Sequence, residues 1–169
     1  MRETALGGEA KVETVHFNFH DTDEWQEYEK LCQSLHELAG GKENISVLVN
    51  NVEERDPHGI KIHKASDKEL LQTLNKNTFP IVFMTRFLGP ELKARGQKQT
   101  KSAIINMTSS YADTPAYNLP IFSASKSFSD VFSQNLWYEN QEMDILTVKN
   151  MPHKSEANPL GVDAGEIVE

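Results

Sequence analysis

The sequence of 169 residues contains a single cysteine, Cys32. One thiol excludes an internal disulfide and any multi-cysteine metal site, and it permits a reducing compartment. Set among apolar residues of a helix, it is expected to be a small buried hydrophobe. Aromatic residues make up only 8% of the chain and the mean hydropathy is −0.53, which indicates a good deal of polar loop. No apolar run approaches the roughly 20 residues that span a bilayer, and the N-terminal MRETALGGEAK lacks the apolar core of a signal peptide. A soluble, cytoplasmic chain with no transmembrane segment is the expectation. Lys and Arg number 17 against 25 Asp and Glu, a formal net charge of −8, and the cations form no block. Nucleic acid is therefore not an expected partner, because affinity for phosphate backbones comes from clustered cations that displace counterions. His16, His20, His36, His58, His63 and His153 are scattered. The pairs His16/His20 and His58/His63 lack a convincing third ligand, so no metal site is expected.

A chain of this length can bury about 70% of its unfolded surface, enough for one domain. Residues 1–150 are expected to form it, with a Pro/Gly/acid-rich tail at 151–169. Residues 11–19 alternate Val12, Val15, Phe17 and Phe19 with polar residues and predict a short strand, after which Asp21 or Thr22 can cap a helix. Over residues 24–38, Trp25, Tyr28, Leu31, Cys32, Leu35 and Leu38 recur at helical spacing, and Gly40-Gly41 ends the run. Residues 45–49 form a β-branched run suited to a strand buried on both faces. Asp67 is expected to cap a helix through Leu70, Leu71 and Leu74 toward Phe83 and Phe87, kinked or restarted at Pro80. Residues 102–108 predict another strand and residues 122–139 a helix, its apolar stripe at Ala124, Phe128, Val131, Phe132 and Leu136. Residues 144–148 close the series as a strand. Strands alternating with helices indicate an α/β fold with a parallel sheet flanked by helices.

Three features come in order: Leu48-Val49-Asn50-Asn51-Val52 closing one strand, Asn106-Met107-Thr108-Ser109-Ser110 closing the next, and Phe122-Ser123-Ala124-Ser125-Lys126 opening the following helix. Ser109 stands thirteen residues before Phe122, and Asn77 eight before Thr85-Arg86. In this order and spacing the chain resembles the short-chain dehydrogenase/reductase family. The closest likeness is to the branch of 17β-hydroxysteroid dehydrogenases and very-long-chain 3-ketoacyl-CoA reductases. The resemblance implies a partial Rossmann-like parallel sheet comprising family strands three to six. It also implies NADP as cofactor, a steroid or fatty acyl-CoA substrate, association with the endoplasmic reticulum, and a homo-oligomer through the helix at 122–139. Carried over residue by residue, it places Ser109, Lys126 and Asn77 at catalytic positions, Phe122 at that of the catalytic Tyr, and Asn50 and Lys126 at cofactor-binding positions.

In the family the Tyr hydroxyl gives a proton to the substrate carbonyl, the Lys ammonium lowers the Tyr pKa, the Ser hydroxyl polarises the carbonyl and the Asn supports a relay water. A spacing of four sets Tyr and Lys on one helical face. Lys126 keeps its place; Phe122 has the shape of the Tyr without its proton, and loss of a general acid costs roughly 10²–10⁴-fold. Tyr111 and Tyr117, on the preceding loop, offer phenols without a helix-fixed relation to Lys126. Other positions depart in the same direction. Glu53 replaces the Gly after Asn-Asn-Val and puts negative charge near the place of an anionic dinucleotide, Asn18 replaces an adenine-contacting Asp, and Asn150-Met151-Pro152-His153 replaces Pro-Gly. No Gly-x-x-x-Gly-x-Gly occurs in the chain. In a sheet of order 3-2-1-4-5-6 the third strand could then not sit beside the fourth, leaving an apolar edge.

Plainer roles stand beside these: Asn50 and Asn51 as turn formers, Asn77 as a helix cap before Thr78, Ser109 as a loop hydroxyl, Lys126 as a solvated charge, and Phe128/Phe132 as core or a helix-pair dimer interface. Two functions follow. The chain is an NADP-dependent oxidoreductase by ancestry, of a kind acting on a steroid or 3-ketoacyl carbonyl and inactive as this chain, or it is a noncatalytic relative, either a scaffold or interaction protein or a gene fragment without independent function, with NADP or no cofactor bound.

Overall fold

The computed structural model describes residues 11–19, 24–55, 61–114 and 117–150. Its elements alternate: α1 (Trp25–Leu38), β1 (Val47–Asn50), α2 (Asp67–Gln97), β2 (Ala103–Ser109), α3 (Pro120–Glu139) and β3 (Asp144–Asn150). The strands form one parallel sheet in the order β1-β2-β3, with Leu48, Ile104 and Ile145 in register. Parallel neighbours need a long crossover, and α2 and α3 supply the two. α2 lies across β1 and β2, α3 lies across β2 and β3, and α1 packs on α2. The expected α/β, Rossmann-like architecture is present, carried by three strands.

The fourth expected strand is not formed. Residues 11–18 carry no strand pairing, although Phe17 and Phe19 pack on the core. Alternation alone does not make a strand; a ladder partner does, and among the described residues none lies alongside. Their rings instead join Tyr28 and Phe83 in an aromatic cluster, with Phe17 to Tyr28 at 5.2 Å and Tyr28 to Phe83 at 5.1 Å between centroids. Tyr28 is wholly buried, its hydroxyl has no hydrogen-bond partner among the described residues, and desolvation pushes its pKa up to about 12. Cys32 is buried beside Met84 as expected, and burial raises its thiol to about 12, which keeps it inert.

Helix ends follow local chemistry. α1 stops in a Schellman arrangement: Gly40 takes φ 69°, and the amides of Gly40 and Gly41 donate to the carbonyls of Glu37 and His36. The expected caps Asp21 and Thr22 lie outside the described residues, as does the tail from 151. α2 is capped by Ser66 rather than Asp67, because Ser66 and Glu69 form a reciprocal capping box in which the Ser66 amide donates to Glu69 at 2.8 Å. Asp67 becomes the first helical residue. Pro80 neither ends nor restarts α2, which runs unbroken for 31 residues with Pro80 and Pro90 inside it. Its buried residues Ile81, Met84, Leu88 and Leu92 outweigh the two lost backbone bonds. α3 begins at Pro120, where a missing N–H costs nothing, two residues before the expected start.

α3 also reverses an expectation about its faces. Ala124, Phe128 and Val131 are exposed, while Ser123, Ser125, Ser129 and Ser133 are buried with Phe122 and Lys126. Small side chains let the helix approach the sheet closely, and the hydroxyls of Ser125, Ser129 and Ser133 are satisfied within the helix. Ser129 donates to the Ser125 carbonyl at 3.0 Å and Ser133 to that of Ser129 at 2.6 Å. The far sheet face leaves Val47, Val49, Leu146 and Val148 exposed. No helix among the described residues is long and apolar enough to cross a membrane.

Gly96, near the end of α2, lies against the backbone carbonyl of Glu142, where a Cβ would collide with backbone. Gly96→Ala is therefore expected to destabilise by about 1–3 kcal/mol in urea unfolding despite the better helix propensity of Ala. A variant as stable as the wild type would show that the approach is looser than described.

Candidate functional site

The C-terminal ends of parallel strands open toward the N-termini of the following helices, and side chains gather there. Ser109 ends β2, Phe122 and Lys126 lie in the first turns of α3, residues 51–55 follow β1, and Lys76 and Asn77 come from the middle of α2.

Lys126 is the electrostatic centre. Its side chain is only 4% exposed, and its Nζ lies 3.0 Å from Glu53 Oε2 and donates to the Met107 carbonyl at 3.3 Å. The Phe122 ring, 2% exposed, presents its face to the ammonium at 5.3 Å. Arg55 approaches the same ring at 5.9 Å, and Tyr111 meets it edge-on at 6.3 Å.

Asn77 is buried and uses its amide as a clasp. The Glu54 backbone N–H donates to Asn77 Oδ1, and Asn77 Nδ2 donates to the Glu54 carbonyl, each at 2.7 Å. The Glu54 carboxylate pairs with Lys76 at 2.6 Å. Residues 53–55 are thus fastened to α2, with the side chains of Glu53 and Arg55 laid on Lys126 and Phe122.

Ser109 Oγ accepts from the Tyr111 N–H at 3.3 Å and donates to the Asn150 carbonyl at 3.4 Å, tying the end of β2 to β3. Lys149 reinforces that end: the carboxylates of Asp113, at 2.9 Å, and Asp130, at 3.0 Å, hold its ammonium above the usual lysine range. Asn50 points elsewhere. Its Nδ2 donates to Asn106 Oδ1 at 2.8 Å, and Asn106 Nδ2 donates to Ser133 Oγ at 2.8 Å, which makes a polar joint between β1, β2 and α3.

Phe122 and Lys126 therefore meet directly, Asn77 reaches them through residues 53–54, Ser109 is linked to Phe122 through Tyr111, and Asn50 is engaged in the joint. The contacts of Arg55 and the buried role of Asn106 and Ser133 were not expected from sequence. Ser125, Ser129 and Ser133, four apart, carried the signal for a small buried face. Arg55 gave none, because the loop course that aims it is not periodic.

A family model described as short chain dehydrogenase matches residues 3–154. The chain belongs to the short-chain dehydrogenase family. Relatives of this short-chain dehydrogenase-type chain include a very-long-chain 3-oxoacyl-CoA reductase of Bos taurus, 31% identical over 86% of this chain and 43% of the relative. Another is inactive hydroxysteroid dehydrogenase-like protein 1 of Danio rerio, 25% identical over 73% of this chain and 37% of the relative. The chain thus spans less than half the length of these curated relatives. Among solved structures, a metagenomic short-chain oxidoreductase in complex with NADP superposes with a TM-score of 0.70 at 20% identity, covering 89% of this chain and 62% of its own. A short-chain dehydrogenase from Streptomyces avermitilis gives 0.68 at 20% identity, covering 89% and 52%. These likenesses show the fold.

Replacing Asn106 by Leu would leave the amide of Asn50 without its partner inside the protein, while the Ser133 hydroxyl keeps its bond to the Ser129 carbonyl. A loss of about 1–3 kcal/mol for the unpaired Asn50 amide is expected in urea unfolding, and an unchanged midpoint would show that the joint is dispensable.

Proposed function

We propose that this chain is a noncatalytic member of the short-chain dehydrogenase family, descended from NADP-dependent reductases of a steroid or 3-ketoacyl carbonyl. The observation that carries the reading is Phe122, a buried phenyl ring facing the Lys126 ammonium at 5.3 Å where carbonyl reduction needs a hydroxyl. A general acid must hold a transferable proton within hydrogen-bond reach of the substrate oxygen. Phe122 holds none, and Ser109 by itself offers polarisation without that proton. In an active relative the nicotinamide would supply hydride. The residues here do not fit it, because the ammonium that would hold its ribose hydroxyls is paired with Glu53. One of the relatives, inactive hydroxysteroid dehydrogenase-like protein 1, bears the word inactive in its name, in keeping with this reading.

The test is NADPH titration by calorimetry with a ketone-reduction assay on the wild type, Phe122→Tyr and Lys126→Ala. Neither wild type nor Phe122→Tyr is expected to bind NADPH measurably or to reduce a 3-ketoacyl-CoA or steroid ketone above the Lys126→Ala background. Turnover by the wild type overturns the reading. Turnover gained only by Phe122→Tyr would show an enzyme silenced by one missing hydroxyl.

The outer face of α3 favours a role in assembly. Phe128 and Phe132 stack at 6.0 Å, and Phe128, Val131, Trp137 and Tyr138 are exposed along one helix. The occupant proposed for this face is a second copy of the chain, helix against helix. Sedimentation is expected to show a dimer that Phe128→Glu shifts to monomer; a wild-type monomer at micromolar concentration rules it out.

A further inference from the structure

We infer that Glu53 is a built-in occupant of the Lys126 site: its carboxylate takes the position at Nζ that an anionic or hydroxyl-bearing ligand would need. The inference rests on the reading of the site as noncatalytic and adds what keeps it closed. An ammonium as deeply buried as that of Lys126 is costly without a counter-charge, and its other partners among the described residues are a carbonyl oxygen and the face of a phenyl ring, neither of which carries one. Glu53 supplies it from 3.0 Å.

The two partners differ in exposure, 4% for the Lys126 side chain against 40% for that of Glu53. The carboxylate stands at the solvent boundary of the site, so a ligand approaching Lys126 from solvent meets it first. The Asn77 clasp on the Glu54 backbone and the Lys76–Glu54 pair hold the next residue, Glu54, to α2. Rotation of the Glu53 side chain alone can open the site while these bonds to Glu54 stay in place. Glu53 sets specificity in a simple way. A ligand must replace a carboxylate already delivered by the fold, and a dinucleotide bringing its own negative charge meets repulsion from it.

Competitive acylation of lysines in the full chain, read by peptide mass spectrometry, tests this without recourse to catalysis. Lys126 is expected to be nearly unreactive in the wild type and several-fold more reactive in Glu53→Gln, with Lys76 unchanged. Glu54→Gln should do the reverse, raising Lys76 and leaving Lys126 protected. Inorganic phosphate is expected to protect Lys126 in Glu53→Gln and not to alter it in the wild type. Equal Lys126 reactivity in folded wild type and Glu53→Gln overturns the inference, as does failure of phosphate to protect the variant. If Glu53→Gln does not fold, the double variant Glu53→Gln with Lys126→Met removes both charges and is expected to fold again; its failure to do so also overturns the inference. None of these readouts depends on ketone reduction, so they fail or succeed separately from the reading of Phe122.

Discussion

Asn106 is wholly buried at the middle of the sheet, and the site depends on what its amide does. One side of the group accepts from Asn50 on β1, and the other donates to Ser133 on α3. Each bond contributes only about 1 kcal/mol net, but leaving a buried partner unmade costs more, so the joint sets position more strongly than it adds stability. It seats α3 on the sheet at the depth its serine face allows. That seat carries Phe122 and Lys126 to the end of β2, beside Ser109 and opposite residues 53–55.

At that place the physics is of one buried cation. A lysine with its ammonium inside the protein needs negative charge or a ring of acceptors, and in a reductase of this family the same cation would serve the phenol and the nicotinamide ribose. Here Phe122 offers only the face of its ring, and the counter-charge comes from Glu53. Two departures from the family pattern thereby complement each other. On the noncatalytic reading proposed above, the missing phenol removes one of the lysine's tasks, and the carboxylate neutralises its charge. The Asn77 side chain, expected to support a relay water, holds the segment that delivers Glu53.

Much of this was legible in the sequence because it is local or periodic. The β-branched run before Asn50, the spacing of Ser109, Phe122 and Lys126, and the Gly40-Gly41 stop are each read along the chain and appear where expected, although the run, expected to be buried on both faces, is covered on one and leaves Val47 and Val49 exposed. Where expectation failed, competition between neighbours or faces decided. Ser66 outcompeted Asp67 as cap because only Ser66 has Glu69 at the reciprocal position. Of the apolar stripe of α3, Ala124, Phe128 and Val131 face outward while Leu136 packs on the core, because the sheet accepts the small serine face, and periodicity reports that a helix has two faces without saying which one is covered.

The sequence by itself determined the order of elements, the family, and the absence of a hydroxyl at position 122, since these depend on residue type and spacing along the chain. The tertiary structure alone decided that residues 11–18 form no strand, that Asn50 is spent on Asn106, and that Glu53 ends on Lys126. Those outcomes depend on contacts between residues far apart in the chain. Glu53 and Lys126 are 73 positions apart in the sequence, and only the crossing of α2 and α3 over one parallel sheet brings a carboxylate and an ammonium to 3.0 Å.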